Sequence, residues 1–373
     1  MDKVTVTVMK DRYPTHFNIP KPSRHIIKHA MFIPTHRFST HIEGVTFIRP
    51  NTSDLIHTVN RIPIATTKPF LITFESHLPR YFGGEQTKLF AYMRRRLAEH
   101  GCRKIIALSE CAKAAFLATH KGTDEYDSLA QKLTVIYPNI VLPALENVPP
   151  ERTPPLTLVF VGAHFGRKGG AVAARAAQIA RERRLPLHFH IISSLQVGAS
   201  VWSDPKNPTF FDEYINLLNG ANITFDNSLP NRTVLAILSR ADFSFLPTLS
   251  DTFGYSVIES LSFGTPAIVT TQGALTEFMV DRKNGVVIPL QVDRYGEWIY
   301  VGRSDKDSRR FEAIYRDEIE RIARAVVDAV APYCDEPRAL ESMRHNARAT
   351  AEQFFDSRKT GPLLDRIYDE SVS

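Results

Sequence analysis

Long apolar runs are absent from this 373-residue sequence, which nowhere approaches the roughly 18 consecutive apolar residues that a membrane-spanning helix needs. The first residues, MDKVTVTVMKDRYP, lack the apolar core of a secretory signal, so the chain is expected to stay in the cytoplasm. Cysteine is scarce. Cys102, Cys111 and Cys334 are the only three and show no CxxC spacing, which excludes a disulfide framework and a structural zinc site and predicts reduced thiols. A strong charge of one sign is also missing: 46 Lys and Arg against 40 Asp and Glu leave a formal +6. That balance favours anionic partners without choosing among nucleotides, phospholipid headgroups and nucleic acid. No internal repeat, low-complexity tract or nucleic-acid-binding motif occurs, so no nucleic-acid partner is expected.

With 43% hydrophobic and 23% charged residues, the composition is that of an ordinary globular protein, and its length predicts two domains. The N-terminal part carries short β-branched runs, VTVTV near Val4, GVTFI near Val45, FLITF near Phe70 and KIIALS near Lys104, with helical or turn-forming segments between them. It reads as an α/β domain. Within it, KLFAYMRRRLAEH places Leu89, Tyr92, Met93 and Leu97 on an apolar stripe and Arg94, Arg95 and Arg96 beside it. These arginines suit a solvated helix face, contact with an acidic acceptor, or peripheral contact with the inner face of the cell membrane.

Five prolines in LPALENVPPERTPP, Leu142 to Pro155, break any helix or central strand and mark a linker. Beyond it, the strands TLVFVG, LHFHIIS, NITF, FSFLPT, PAIVTT and GVVIP alternate with amphipathic helices, predicting a parallel sheet covered on both faces, a Rossmann-like arrangement. We divide the chain into residues 1–148, 149–345 and a helical segment, 346–373, expected to cross back onto the first domain.

Ligands of open parallel sheets bind beyond the carboxyl ends of the strands, so the residues that follow each strand are the functional candidates. The first such loop is VGAHFGRKGG, Val161 to Gly170, where Gly162 ends a strand, Arg167 and Lys168 supply charge, and Gly169 opens a helix. Backbone amides and cations there suit a diphosphate, while the spacing departs from a Walker loop; a tight turn with solvated basic residues is the alternative. The second is LPTLSDTFGYSVIES, with Asp251 and Glu259 eight positions apart and Gly254 and Tyr255 between them. Ser256 to Glu259 also fits a capping box. The third is QGALTEF, whose amides at Gly273, Ala274 and Leu275 suit a sugar or phosphate, or else form an ordinary βα turn with Glu277 in its first turn.

VGAHFGRKGG, SDTFGYSVIES, FGTPAIV and QGALTEF together resemble the family 4 retaining glycosyltransferases, over roughly Thr157 to Pro289. The resemblance implies the GT-B fold, two Rossmann-like α/β domains facing a central cleft, with the first binding the acceptor and the second the nucleotide-sugar donor. By position it assigns Glu259 to the ribose hydroxyls, Asp251 to the donor sugar, and Lys168 with Arg167 to the diphosphate. Asp251 stands where the family usually has Glu, and Ala163 where many members have Arg. The N-terminal likeness is thinner. No glycine precedes Gly44, although many relatives have a Gly-rich loop after their first strand, and Glu75, with His77 two residues on, falls where relatives place the His of a His-Asp pair near the reaction centre; a polar residue capping the strand end is the alternative.

The expected reaction is retaining, metal-independent transfer, of hexosyl type, from a nucleoside-diphosphate sugar to a hydroxyl of a glycan or lipid-linked acceptor in polysaccharide biosynthesis, with no cofactor. Asp305-Lys-Asp307 has the spacing metal-dependent transferases use but lies in a polar run, GRSDKDSRR, away from strand ends. Three other readings share the fold: a nucleotide-sugar epimerase, a phosphorolytic enzyme and a non-catalytic scaffold.

Overall fold

The computed structural model describes residues 3–10, 13–33, 35, 42–48, 52–81, 83–144, 154–198 and 201–372. Residues 145–153 of the proline-rich linker lie outside them. Contacts divide the chain into two compact units, Met1–Val141 with Phe354–Ser373, and Leu142–Gln353.

In chain order the first unit comprises β1 (Thr5–Met9), α1 (Tyr13–Phe17), β2 (Ile26–Ala30), β3 (Phe32–Ile33), β4 (Val45–Ile48), β5 (Leu55–Val59), β6 (Ile62–Ile64), β7 (Phe70–Phe74), α2 (Lys88–Ala98), β8 (Cys102–Ala107), α3 (Glu110–His120), α4 (Tyr126–Lys132) and β9 (Leu133–Val135). Its main sheet runs β2-β1-β5-β7-β8-β9, every neighbouring pair parallel. GVTFI falls outside that sheet, as β4 in a small sheet of order β3-β4-β6. The central strand β5 is less legible in sequence because its wholly buried LIHTV carries His57 inside the sheet. Edge strand β2, IIKHA, has no buried residue and mixes apolar with polar side chains.

Side chains cap the helices as the local sequence dictates. Thr87 Oγ1 accepts the Phe90 amide at the start of α2, and Ser109 does the same for Ala112 at α3. On α2 the buried residues are Phe90, Met93 and Leu97, while Tyr92 is exposed. Arg94 pairs with Glu125 at 2.8 Å, and Arg96 reaches Glu99, the carbonyl oxygen of Thr66 and the face of the Phe70 ring. Two of the three clustered arginines therefore serve the unit's own packing.

The second unit contains β10 (Leu156–Val161), α5 (Gly170–Glu182), β11 (Leu187–Ile192), α6 (Asp212–Asn216), β12 (Ile223–Asp226), α7 (Asn231–Arg240), β13 (Phe243–Leu246), α8 (Tyr255–Ser262), β14 (Ala267–Thr270), β15 (Gly285–Ile288), α9 (Arg309–Asp335) and α10 (Leu340–Phe354, whose last residue belongs to the first unit). All six strands are parallel in the order β12-β11-β10-β13-β14-β15, which is the 3-2-1-4-5-6 winding of a dinucleotide-binding sheet. Winding reverses between β10 and β13.

On one face α5 lies between the sheet and α9, which is why it is almost wholly small: Ala171, Val172, Ala173, Ala174, Ala176, Ala177 and Ala180 are all buried. Phe160, Phe189 and Phe245 fill the sheet side of that core. Truncating one of them to Ala is expected to cost about 3–5 kcal/mol. On the other face Val234 and Leu238 of α7 cover Val159 and Ile192. Helix α10 stays with this unit as far as Gln353, rather than leaving at residue 345, because Leu340 and Met343 enter the core and Thr350 accepts a 2.8 Å bond from Asn284.

The chain ends in α11 (Ser357–Val372), part of the first unit. Tyr368 Oη meets His57 Nδ1 at 2.8 Å, and His57 Nε2 meets Thr73 Oγ1 at 2.7 Å. Complete burial pushes the His57 pKa down to about 3, so this buried chain is uncharged. Asp365 accepts from Ser23 Oγ at 2.6 Å and from the Arg24 amide at 2.9 Å, and Asp369 pairs with Arg24.

Candidate active site

Three loops at the carboxyl edge of the second sheet, after β10, β13 and β14, meet around one carboxylate. After β10 the chain curls tightly: the amides of Lys168, Gly169 and Gly170 donate to the carbonyl oxygens of His164, Gly166 and Phe165. These three amides are thereby used within the loop, and of them only that of Gly170 belongs to α5. Gly169 is obligatory here. Its φ is +87°, and a Cβ would lie 2.1 Å from the Pro247 carbonyl oxygen. That close approach lets the next loop dock: the Arg167 carbonyl oxygen accepts from the Leu249 amide at 2.8 Å and from Thr248 Oγ1 at 2.9 Å.

Docking delivers Asp251 to the cations. Lys168 Nζ donates to Asp251 Oδ2 at 3.0 Å; an Arg167 Nη1 lies 3.6 Å from Oδ1 and donates to the Ser250 carbonyl oxygen at 2.7 Å. Burial by itself would raise the Asp251 carboxyl, but Lys168 and then Arg167, with a bond from the Thr252 amide, outweigh it and hold the group below the usual carboxylate range. The same two cations act on His164, whose pKa is lowered by burial first and by Arg167 and Lys168 second. Gly162 completes the loop; a Cβ there would press on the Lys168 stem at 3.0 Å.

Gly254, with φ of +78°, caps α8. A side chain there would meet Leu275 Cδ2 at 2.9 Å. Because the helix begins at Tyr255, Ser256 lies inside it and forms no cap, so the capping-box account of Glu259 does not hold. Glu259 is buried, with 4% of its surface exposed, and Oε1 accepts from Asn231 Nδ2 of α7 at 3.3 Å. Tyr255 stands at the start of α8 with its ring 6.1 Å from that of Phe253.

After β14, Gly273 to Glu277 form a short 3-10 helix. The Gly273 amide donates to Gly296 and that of Leu275 to Gln272, while Ala274 and Leu275 are buried. The Gly273 and Leu275 amides thus bond within the second unit's own backbone. A Cβ on Gly273 would come within 3.2 Å of the Asp251 carbonyl oxygen, so glycine lets this turn lie against the Asp251 loop.

Gly162, Arg167, Lys168, Gly169, Asp251, Gly254 and Gly273 are thus brought together, and Glu259 and Tyr255 follow on the helix that Gly254 starts. Glu75 and His77 belong to the first unit, just beyond β7. Glu75 is buried and clasped by Asn60, whose Oδ1 accepts the Glu75 amide and whose Nδ2 donates to Oε2, each at 3.0 Å. His77 is half-buried. Asp305 and Asp307 each face a cation: Arg303 binds Asp305 with two bonds of 2.6 and 2.7 Å, and Lys206 lies 3.9 Å from Asp307. Among the described residues no group of three or more metal-binding side chains forms, and no helix is long and apolar enough to cross a membrane.

Asp204 is absent from the sequence-derived set, though it lies under the cationic loop. A Cβ on Gly166 would sit 2.3 Å from its Oδ2. Fully buried, the carboxylate accepts from the Gly198 amide, Ser203 and Tyr315, and burial, opposed by those bonds and by Arg167, pushes its pKa up to about 6. No local pattern announces it, since Gly166 precedes it by a helix, a strand and a loop.

Comparison with known proteins adds three findings. Residues 143–297, less than half of the chain, match the family model described as glycosyl transferases group 1. No curated protein matches. Solved structures similar to the chain include a glycosyltransferase from Rickettsia africae ESF-5, 14% identical, covering 100% of both chains with a TM-score of 0.64. Anabaena Alr3699/HepE in complex with UDP-glucose is 12% identical over 98% of this chain and 99% of that one, with a TM-score of 0.61. A sucrose-phosphate synthase from Thermosynechococcus elongatus is 15% identical over 85% and 73%, with a TM-score of 0.55. At such identities the likeness speaks to the fold. The chain therefore has the α/β GT-B fold with two Rossmann-like sheets, and its residues 143–297 carry the glycosyl transferases group 1 pattern.

Proposed function

We propose that this protein is a retaining glycosyltransferase of family 4 type that moves a sugar, of hexosyl type, from a nucleoside-diphosphate donor to a hydroxyl of a glycan or lipid-linked acceptor. One observation carries the reading: Lys168 and Arg167 converge on buried Asp251 where the winding of the second sheet reverses. That place is where open α/β sheets hold their ligands. Two cations fixed before the ligand arrives need little reorganisation to meet a diphosphate, and the positive end of α5, a helix of 13 residues, adds to their field.

In the proposed reaction the bond from the sugar's anomeric carbon to the diphosphate oxygen breaks, with Lys168 and Arg167 stabilising the charge that develops on that oxygen. The acceptor hydroxyl attacks from the same face, and the departing diphosphate takes its proton. Asp251 orients the donor sugar through its hydroxyls while tethering both cations; Glu259 holds the ribose; Glu75 and His77 serve the acceptor side. This charge arrangement is the support for a metal-independent reaction without a cofactor. The reading is of a cytoplasmic protein of polysaccharide biosynthesis, in peripheral contact with the membrane where the acceptor is lipid-linked, and the resemblance to the family 4 glycosyltransferases is its support.

Calorimetry with UDP and GDP, followed by incubation of the matching nucleotide sugars with and without acceptor sugars in chelator, tests the proposal. Binding of one diphosphate and acceptor-dependent release of it are expected. Lys168→Ala is expected to lower the transfer rate by on the order of 10²-fold, the usual cost of removing one such contact. Absence of diphosphate binding would overturn the proposal, as would conversion of the donor sugar without any acceptor.

A further inference from the structure

A helix acid can bind a ribose diol well only if its carboxylate is aimed, and the side chain that aims Glu259 is supplied by a different strand-end loop. Glu259 lies on α8, after β13. Its Oε1 takes a hydrogen bond from Asn231, the first residue of α7, after β12. Asn231 is itself exposed, whereas Glu259 is buried. The amide therefore stands on the solvent side of the acid, at the edge of the sheet where a ligand arrives. The contact joins residues 28 positions apart. It is not a helix-capping bond, since α8 is started by Gly254 and no side chain caps α7.

A neutral amide suits this task. A lysine or arginine there would neutralise the carboxylate and compete with the ligand, whereas Asn donates one bond without adding a charge. We propose that Asn231 is a positioning residue for nucleotide recognition: by holding Oε1 it turns the Glu259 carboxylate toward the ribose diol. This inference rests on the donor-site reading above and names a residue that reading does not contain.

The test compares binding of three probes to the full chain by calorimetry: the nucleoside diphosphate, UDP or GDP, that binds more tightly, its 2′,3′-dideoxy counterpart, and inorganic pyrophosphate. For Asn231→Ala the ribonucleotide is expected to weaken by about tenfold, the scale of one hydrogen bond to a charged group. Pyrophosphate affinity should stay unchanged, because the cations that hold it are untouched. Preference for the ribonucleotide over the dideoxy form should shrink by the same factor, and Asn231→Gln, which restores a donor, should recover part of it. If Asn231→Ala binds the ribonucleotide as the wild type does, or loses ribonucleotide and pyrophosphate equally, the positioning role is wrong while the donor site stands. A wild-type chain that binds pyrophosphate and neither nucleotide overturns both.

Discussion

Asp251 and Asp204 flank one cationic loop, yet their surroundings drive them in opposite directions. Lys168 and Arg167 hold Asp251 below its ordinary pKa, so the stability it contributes is present above the usual carboxylate range and is lost as pH falls below it. Burial lifts Asp204 to about 6 against an ordinary 3.8, so the folded chain binds that proton more tightly than the unfolded one. Stability from Asp204 is then greatest with the proton on, declines as pH rises from about 4 to about 6, and is flat above. Melting curves from pH 3 to 8 should show the wild type gaining on Asp204→Asn upon acidification through that window. Asp251→Asn should instead close the gap to wild type only below about pH 4. Differences independent of pH would mean that neither carboxylate is placed as described. The same contrast explains what was legible. Lys168, Arg167 and Asp251 follow strands and announce themselves by position, whereas Asp204 and Asn231 act through contacts formed by separate segments, which no local pattern encodes.

At the level of elements, the loop after β10 depends on a backbone conformation rather than on a side chain. Gly169→Ala introduces both a strained φ and a clash with Pro247, whereas Gly302→Ala, at φ of +74°, meets nothing within 4 Å. Chemical denaturation should show the second costing about 1 kcal/mol and the first on the order of 3 kcal/mol, with ligand binding lost only in the first. Equal costs would argue that Pro247 does not crowd the loop. Element reading is easiest where burial is nearly uniform: β10, β13, β14 and β15 are largely buried and read as apolar runs, whereas β11 alternates and edge strand β12 is the least buried. It weakens in the first unit, where β5 buries a histidine and β2 is an exposed edge. Helix α8 shows a further limit, because Gly254 in a left-handed conformation starts it one residue before the serine that resembles a cap.

Over the whole molecule, the residues proposed to bind the donor all belong to Leu142–Gln353, whereas the first unit is closed by a segment from the far end of the chain. Leu142–Gln353 made alone should unfold cooperatively and bind the nucleoside diphosphate within about tenfold of the intact chain, a spread of about 1.4 kcal/mol. Residues 1–141 made alone should stay unfolded, since His57 and the loop at Ser23 and Arg24 would lose Tyr368, Asp365 and Asp369. Circular dichroism melts and calorimetry of the two fragments decide both points. A folded, cooperative 1–141 fragment would show that α11 is an addition to the first unit and not part of its core.

The reversed winding of the second sheet also sets an order of events during synthesis. Leu158 of β10 takes Phe243 of β13 as its neighbour, and Lys168 waits 83 residues for Asp251. While β11, β12 and α7 emerge from the ribosome, Lys168 and Arg167 lack Asp251 and β10 has one edge bare. The proposed site thus cannot assemble before β13 slots in beside a strand made long before it and brings the Asp251 loop behind it.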